Sequence, residues 1–116
     1  MDGEIILRES YCIVTTTVDS EKIADSLAGD AIKQNLAACV QIIPGIVSHY
    51  KWQGQLDKTQ ELLLQFKTTE NCVQKLMKYI KISHTYDTPE IIMVRIGEVD
   101  PGYGKWIESA VNSDLS

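Results

Sequence analysis

Hydrophobic positions along this chain switch between two rhythms, and each switch marks an element. Tyr11-Cys12-Ile13-Val14-Thr15-Thr16-Thr17 is dense in β-branched and aromatic residues and predicts a buried strand. Asp19 or Ser20 then serves as a helix N-cap, with a side-chain oxygen placed to accept from a free backbone N–H of the first turn. Ile23, Leu27 and Ala31, beside Ala24, Ala28 and Ile32, form two adjacent i, i+4 rows and so one apolar stripe. Gly29 falls inside that helix, at a cost of about 1 kcal/mol relative to alanine. Residues 36–43 predict a second, nearly apolar strand that Pro44-Gly45 ends. Residues 47–52 are extended again, Gln53-Gly54 supplies a turn, and residues 61–67 return as the second arm of a hairpin. Thr69 is placed to cap the next helix, where Val73, Leu76, Met77 and Ile80 fall at i, i+3, i+4 and i+7. A polar loop with Pro89 leads to a strand over 91–96. Pro101-Gly102 breaks it off, and Tyr103, Trp106, Ile107, Ala110 and Val111 mark a short amphipathic helix.

The order β-α-β-β-α-β with a closing helix predicts an α+β fold of the ferredoxin-like type. Two βαβ units interlock, and both helices cover one face of an antiparallel sheet. The strands are apolar at consecutive positions, where a sheet with one wet face would alternate. Two helices cannot cover both faces, so a subunit partner is expected on the second. Residues 1–116 read as a single domain, with residues 1–10 as a flexible N-terminal arm.

Composition narrows the partners. A chain 44% hydrophobic and 23% charged is too apolar to be disordered. No apolar run approaches the roughly 18 residues of a membrane helix. Ile5-Ile6-Leu7 is too short for a signal sequence, so neither membrane nor export is expected. Sixteen acidic residues against eleven basic ones give a net charge of −5. Nucleic-acid binding relies on clustered lysine and arginine, so that partner is not expected, whereas a cation suits the charge. Lys75, Lys78 and Lys81 read as a solvated helix face. Cys12, Cys39 and Cys72 are odd in number and widely spaced, with no CxxC pair. They read as small buried hydrophobes in a reducing, cytoplasmic protein.

No nucleophile elbow, P-loop or dinucleotide fingerprint occurs, and no enzyme activity is expected. Of the two histidines, His84 has the richer context. Ser83-His84-Thr85-Tyr86-Asp87-Thr88-Pro89-Glu90 gathers imidazole, phenol and two carboxylates, ligands suited to copper, zinc or nickel. Pro89 biases Thr88 to extended geometry, which would turn Glu90 back toward the helix end. On spacing alone the segment reads first as a polar connection between helix and strand.

Four segments together resemble the CutA divalent-cation tolerance family. They are Leu36-Ala37-Ala38-Cys39-Val40-Gln41-Ile42-Ile43-Pro44-Gly45, Ser48-His49-Tyr50-Lys51-Trp52-Gln53-Gly54, Glu61-Leu62-Leu63-Leu64 with Lys67-Thr68, and His84-Thr85-Tyr86-Asp87-Thr88-Pro89-Glu90-Ile91-Ile92. The resemblance covers about residues 11–108. It implies a ferredoxin-like fold, a homotrimer with strands shared between subunits, and binding of copper or another divalent metal, with His84 and Glu90 as the metal residues. Some members of the family carry a cysteine ligand near the end of the first strand, where this chain has Thr15-Thr16-Thr17. Cys12 lies an odd number of residues earlier, on the opposite sheet face from Thr15. A weak Cu(II) or other divalent site is therefore expected in place of a thiolate copper(I) site. The alternative is a signalling module similar to the trimeric PII proteins, with an effector in clefts between subunits; the chain offers only Arg8 and Arg95 for such a ligand's phosphates.

Overall fold

Residues 10–112 are described by a computed structural model. In chain order the elements are β1 (Tyr11–Val18), α1 (Glu21–Lys33), β2 (Cys39–Trp52), β3 (Gln55–Thr69), α2 (Glu70–Ser83), β4 (Ile92–Arg95) and α3 (Pro101–Val111). The four strands form one sheet in the order β2-β3-β1-β4, with every neighbouring pair antiparallel. The predicted α+β arrangement with its closing helix is the one observed.

Alternation along β1 sorts the two sheet faces. Cys12, Val14, Thr16 and Val18 are fully buried, and opposite them on β3 stand Thr68, Phe66, Leu64 and Leu62. This face packs against Leu27 and Ala31 of α1 and Leu76 and Ile80 of α2 to make the main core. Ser20 caps α1, its Oγ accepting from Ile23 N–H at 3.1 Å. Thr69 occupies the N-cap position of α2 but forms no side-chain cap bond; its hydroxyl donates to Cys72 Sγ at 3.6 Å instead. Lys75, Lys78 and Lys81 are exposed on α2, as a solvated face requires. No disulfide joins the three cysteines.

β2 begins at Cys39, three residues later than expected, and two further boundaries depart more widely from the sequence reading. Pro44-Gly45 does not end β2. The ladder pairs Ile43 with Leu63 and then Ile46 with Glu61, so two residues of β2 oppose Leu62 alone. This is a β-bulge. Proline has no N–H for the ladder, and Gly45 takes a positive φ of 75°, so the extra residue is absorbed and the strand continues. Correspondingly, β3 begins at Gln55, six residues before the expected start at Glu61. Its polar start is held by pairing with the arm of β2, which no hydrophobic period reveals. The turn is the two-residue hairpin expected. Trp52 pairs with Gln55, and both Gln53 (φ 51°) and Gly54 (φ 79°) are left-handed, the type I′ pattern.

The long hairpin stretches the molecule to 60 × 32 × 23 Å, with a radius of gyration of 16.3 Å. A compact domain of this length would have about 13 Å. Val47, Tyr50, Trp52 and Leu56 are exposed along the arm, Leu56 by 89%. The sheet face that α1 and α2 leave bare carries exposed Ile43, Ile92 and Val94. Only one end of that face is covered. There α3 packs near Tyr11 and Lys67, with Tyr11 OH donating to Glu108 and Lys67 Nζ 5.5 Å from the centre of the Tyr103 ring.

Candidate functional site

The hairpin arm, from its foot at Glu61 out to Trp52 beside the turn, and the α2–β4 connection line a cleft of about 860 Å³. One wall comes from β2 and β3, carrying Ser48, His49, Tyr50, Trp52, Asp57 and Glu61. The other is residues 86–90. Four carboxylates, of Asp57, Glu61, Asp87 and Glu90, line the space, and no lysine or arginine stands among the lining residues. The lining therefore favours a cation.

Alternation past the bulge explains the first wall. Glu61 shares its phase with Leu63, so its side chain leaves β3 on the bare face, near Ser48 on β2. It is only 8% exposed. Glu61 Oε1 accepts from Ser48 Oγ at 2.6 Å, and Oε2 accepts from Tyr86 OH at 2.6 Å. Burial pushes the Tyr86 phenol far above its ordinary range, and the hydrogen bond to Glu61 and that residue's negative charge push it further. On the same wall Tyr50 OH and Thr59 Oγ1 are 2.6 Å apart.

His84 anchors the second wall from behind. Its Nε2 lies 2.9 Å from the Thr17 carbonyl, which can only accept, so this nitrogen donates; Thr16 Oγ1 is 3.1 Å away. Nδ1 accepts from Tyr86 N–H at 3.1 Å, and the two rings sit 4.8 Å apart. Both ring nitrogens are thus engaged. Glu90 reaches β1 by another route, its Oε2 lying 3.4 Å from Thr15 Oγ1. Thr15 and Thr16 are successive strand residues and point to opposite faces. Glu90 lines the cleft, whereas His84 is not among its lining residues.

Among the described residues no three of His, Cys, Asp and Glu come together as a set able to hold a metal ion. The four cleft carboxylates line a common space without converging on one point, and Cys12 is fully buried on the covered face. The donors suit a weakly held hard or borderline cation and do not form a closed cage. Lys67 lies against Tyr103 of α3 and is not a lining residue of the cleft. His49 lines the cleft, which the sequence reading left out. Glu61, Ser48 and Asp57 were also missed as site residues. The one readable signal was Glu61 itself, a lone charge heading Leu62-Leu63-Leu64.

Comparison with known proteins decides the lineage. The family model described as CutA1 divalent ion tolerance protein matches residues 12–110. The chain belongs to the CutA divalent-cation tolerance family. A CutA protein of Thermus thermophilus is 42% identical over 95 residues, covering 82% of this chain and 92% of that protein. The solved structure of CutA from Synechococcus elongatus superposes with a TM-score of 0.86 at 32% identity, covering 95% of this chain and 97% of that one. A CutA of Archaeoglobus fulgidus, described as periplasmic, gives a TM-score of 0.85 at 27% identity, covering 88% and 99%. The family name points to tolerance of divalent cations and not to a known class of enzymes. Among the described residues no helix is long and apolar enough to cross a membrane.

Proposed function

We propose that this CutA-family protein is a cytoplasmic homotrimer that binds divalent metal ions weakly in the cleft beside the hairpin foot, without catalysing a reaction. The observation that carries the reading is the lining: four carboxylates and no lysine or arginine around one space. Such oxygen donors attract divalent cations, and with no thiolate at hand the preference should follow the general order, copper(II) above zinc and nickel. Glu90 supplies a ligand from the loop wall. His84, the second metal residue implied by the family resemblance, stands behind that wall with both ring nitrogens bonded, and joins Glu90 only by leaving the Thr17 carbonyl and Tyr86 N–H and swinging into the cleft. A PII-like effector site draws no support, because phosphate groups would meet carboxylates in this cleft.

Support for the trimer comes from the apolar residues that one chain leaves bare, Trp52 and Leu56 on the arm and Ile43, Ile92 and Val94 on the sheet. A subunit partner on these surfaces would remove them from water. The cytoplasmic placement rests on cysteines without disulfides.

Calorimetric titration with copper(II), beside light scattering, tests the reading. Wild type should bind copper(II) and run well above the 13.0 kDa of one chain. Glu90→Gln should lose most of the binding heat while keeping the same mass. His84→Ala and His49→Ala separate the two imidazoles. Because His49 lines the cleft, it is a candidate ligand too. A monomeric mass at micromolar concentration, or full copper(II) binding by Glu90→Gln, would count against the proposal.

A further inference from the structure

Glu61 stands where two separate pieces of the fold meet. Its ladder partner is Ile46, the first residue beyond the Pro44-Gly45 bulge, so it sits where the arm leaves the body of the sheet. One carboxylate oxygen accepts from Ser48 of the arm and the other from Tyr86 of the α2–β4 connection, both at 2.6 Å. From Tyr86 the chain of bonds continues through its N–H to His84 Nδ1, and through His84 Nε2 to the Thr17 carbonyl. A single side chain thereby closes a path from arm to loop to β1.

The nature of the two partners gives the arrangement its meaning. A buried carboxylate needs hydrogen-bond partners for both oxygens. The ion pair formed among the described residues is Arg95 with Glu70, elsewhere in the molecule. Glu61 is held by two hydroxyls, which orient its carboxylate without supplying a positive charge to cancel it. Each hydroxyl also belongs to a different wall of the cleft. The two bonds that burial requires therefore also tie the two walls together.

We propose that Glu61 is a positioning residue that couples the hairpin foot to the loop wall, so that the placement of Ser48 sets the placement of residues 86–90. Its functional meaning rests on the cation reading above, since that loop carries Asp87 and Glu90. The coupling itself is a property of the metal-free protein and is tested there.

Hydrogen exchange over residues 84–91 of the metal-free protein is the measurement. Tyr86→Phe removes the loop half of the bridge and should speed exchange about fivefold, the weight of one net hydrogen bond. Ser48→Ala removes only the arm half, yet should speed exchange in the same distant loop by about twofold. The double variant should match Tyr86→Phe alone, because both changes act through one carboxylate. Glu61→Gln should largely rescue protection, its carbonyl accepting from Tyr86 and its amide donating to Ser48. Glu61→Ala should behave like Tyr86→Phe. Loop exchange in Ser48→Ala at the wild-type rate, or strictly additive effects in the double variant, would overturn the coupling. Copper(II) titration of wild type is the separate arm. If the exchange pattern holds and copper(II) does not bind, the coupling stands and the cation reading fails.

Discussion

On either side of the Pro44-Gly45 bulge, β2 and β3 run in different surroundings. Toward the body of the sheet, Leu64 and Phe66 of β3 are fully buried beneath α1 and α2. Beyond it the same two strands continue to Trp52 and Gln55, with Trp52 57% exposed and Leu56 89% exposed. Both stretches satisfy their backbone groups by the same ladder. Only the first also removes apolar surface from water, and an isolated two-stranded ribbon is marginal in water. The body should therefore owe its stability to the chain itself, and the arm should owe its stability to association. Phe66→Ala gives the largest effect expected from this contrast. It should cost about 4 kcal/mol of folding stability by emptying the centre of the core. Chemical denaturation should show a lower midpoint that does not move with protein concentration beyond the wild-type dependence. A loss under 1 kcal/mol would mean that the body is not held by its core.

At the tip, the opposite pattern is expected. Gly54 has a φ of 79° with open space where a Cβ would stand, so the obstacle to substitution is backbone conformation and not crowding. Gly54→Val should cost about 2 kcal/mol, because a β-branched residue strains in the left-handed region. The loss should be read mainly in assembly: the mass by light scattering should fall on dilution at concentrations where wild type stays associated. Circular dichroism of the helices should hardly change. An unchanged mass and melting temperature would show that the arm contributes nothing to association.

The contrast also accounts for what the sequence made legible. Elements with one buried face wrote their period into the chain: the stripe of α1 on Leu27 and Ala31, and that of α2 on Val73, Leu76 and Ile80. The polar start of β3 wrote none, since Gln55 and its neighbours are strand because β2 lies alongside. Pro44-Gly45 reads locally as a stop, and only the partner strand turns it into a bulge. At the site, the loop from His84 to Glu90 stood out as a concentration of ligand-type residues. That His84 and Glu90 approach β1 at Thr16 and Thr15, hence on opposite faces, is set by strand alternation in a partner segment 68 positions away from His84. Glu61 acquires its role from Ser48 and Tyr86, which the fold alone brings to it.

Within the body, α1 offers a smaller change of opposite sign. Gly29 lies inside the helix, has helical surroundings without positive φ, and an added Cβ would meet nothing within 4 Å. Gly29→Ala should therefore stabilise the protein by about 1 kcal/mol through helix propensity. The gain should appear in thermal melts of body and helices, with the association behaviour unchanged. A loss of stability would mean that this face of α1 is covered in the assembled protein.

The smallest effect expected lies at the rim of the body, where Arg95 on β4 reaches Glu70 at the start of α2. The guanidinium Nη2 is 2.9 Å from Glu70 Oε2, and both side chains are well exposed. The hydrogen bond from Arg95 and its positive charge hold the Glu70 carboxyl below its ordinary value of 4.5. A carboxyl lowered on folding contributes stability that is present above its unfolded value and is lost as pH falls through the folded one. Wild type should thus lose this contribution on acidification below the ordinary carboxylate range, and Arg95→Ala should flatten that part of the acid limb. Water and salt screen an exposed pair strongly, so the difference should shrink further in high salt. The measurement is a pair of denaturation series from neutral pH down into the acid range, at low and high ionic strength. A large, salt-insensitive difference would place the pair inside an interface, and the contrast would then run between assembled and bare surfaces instead of between body and arm.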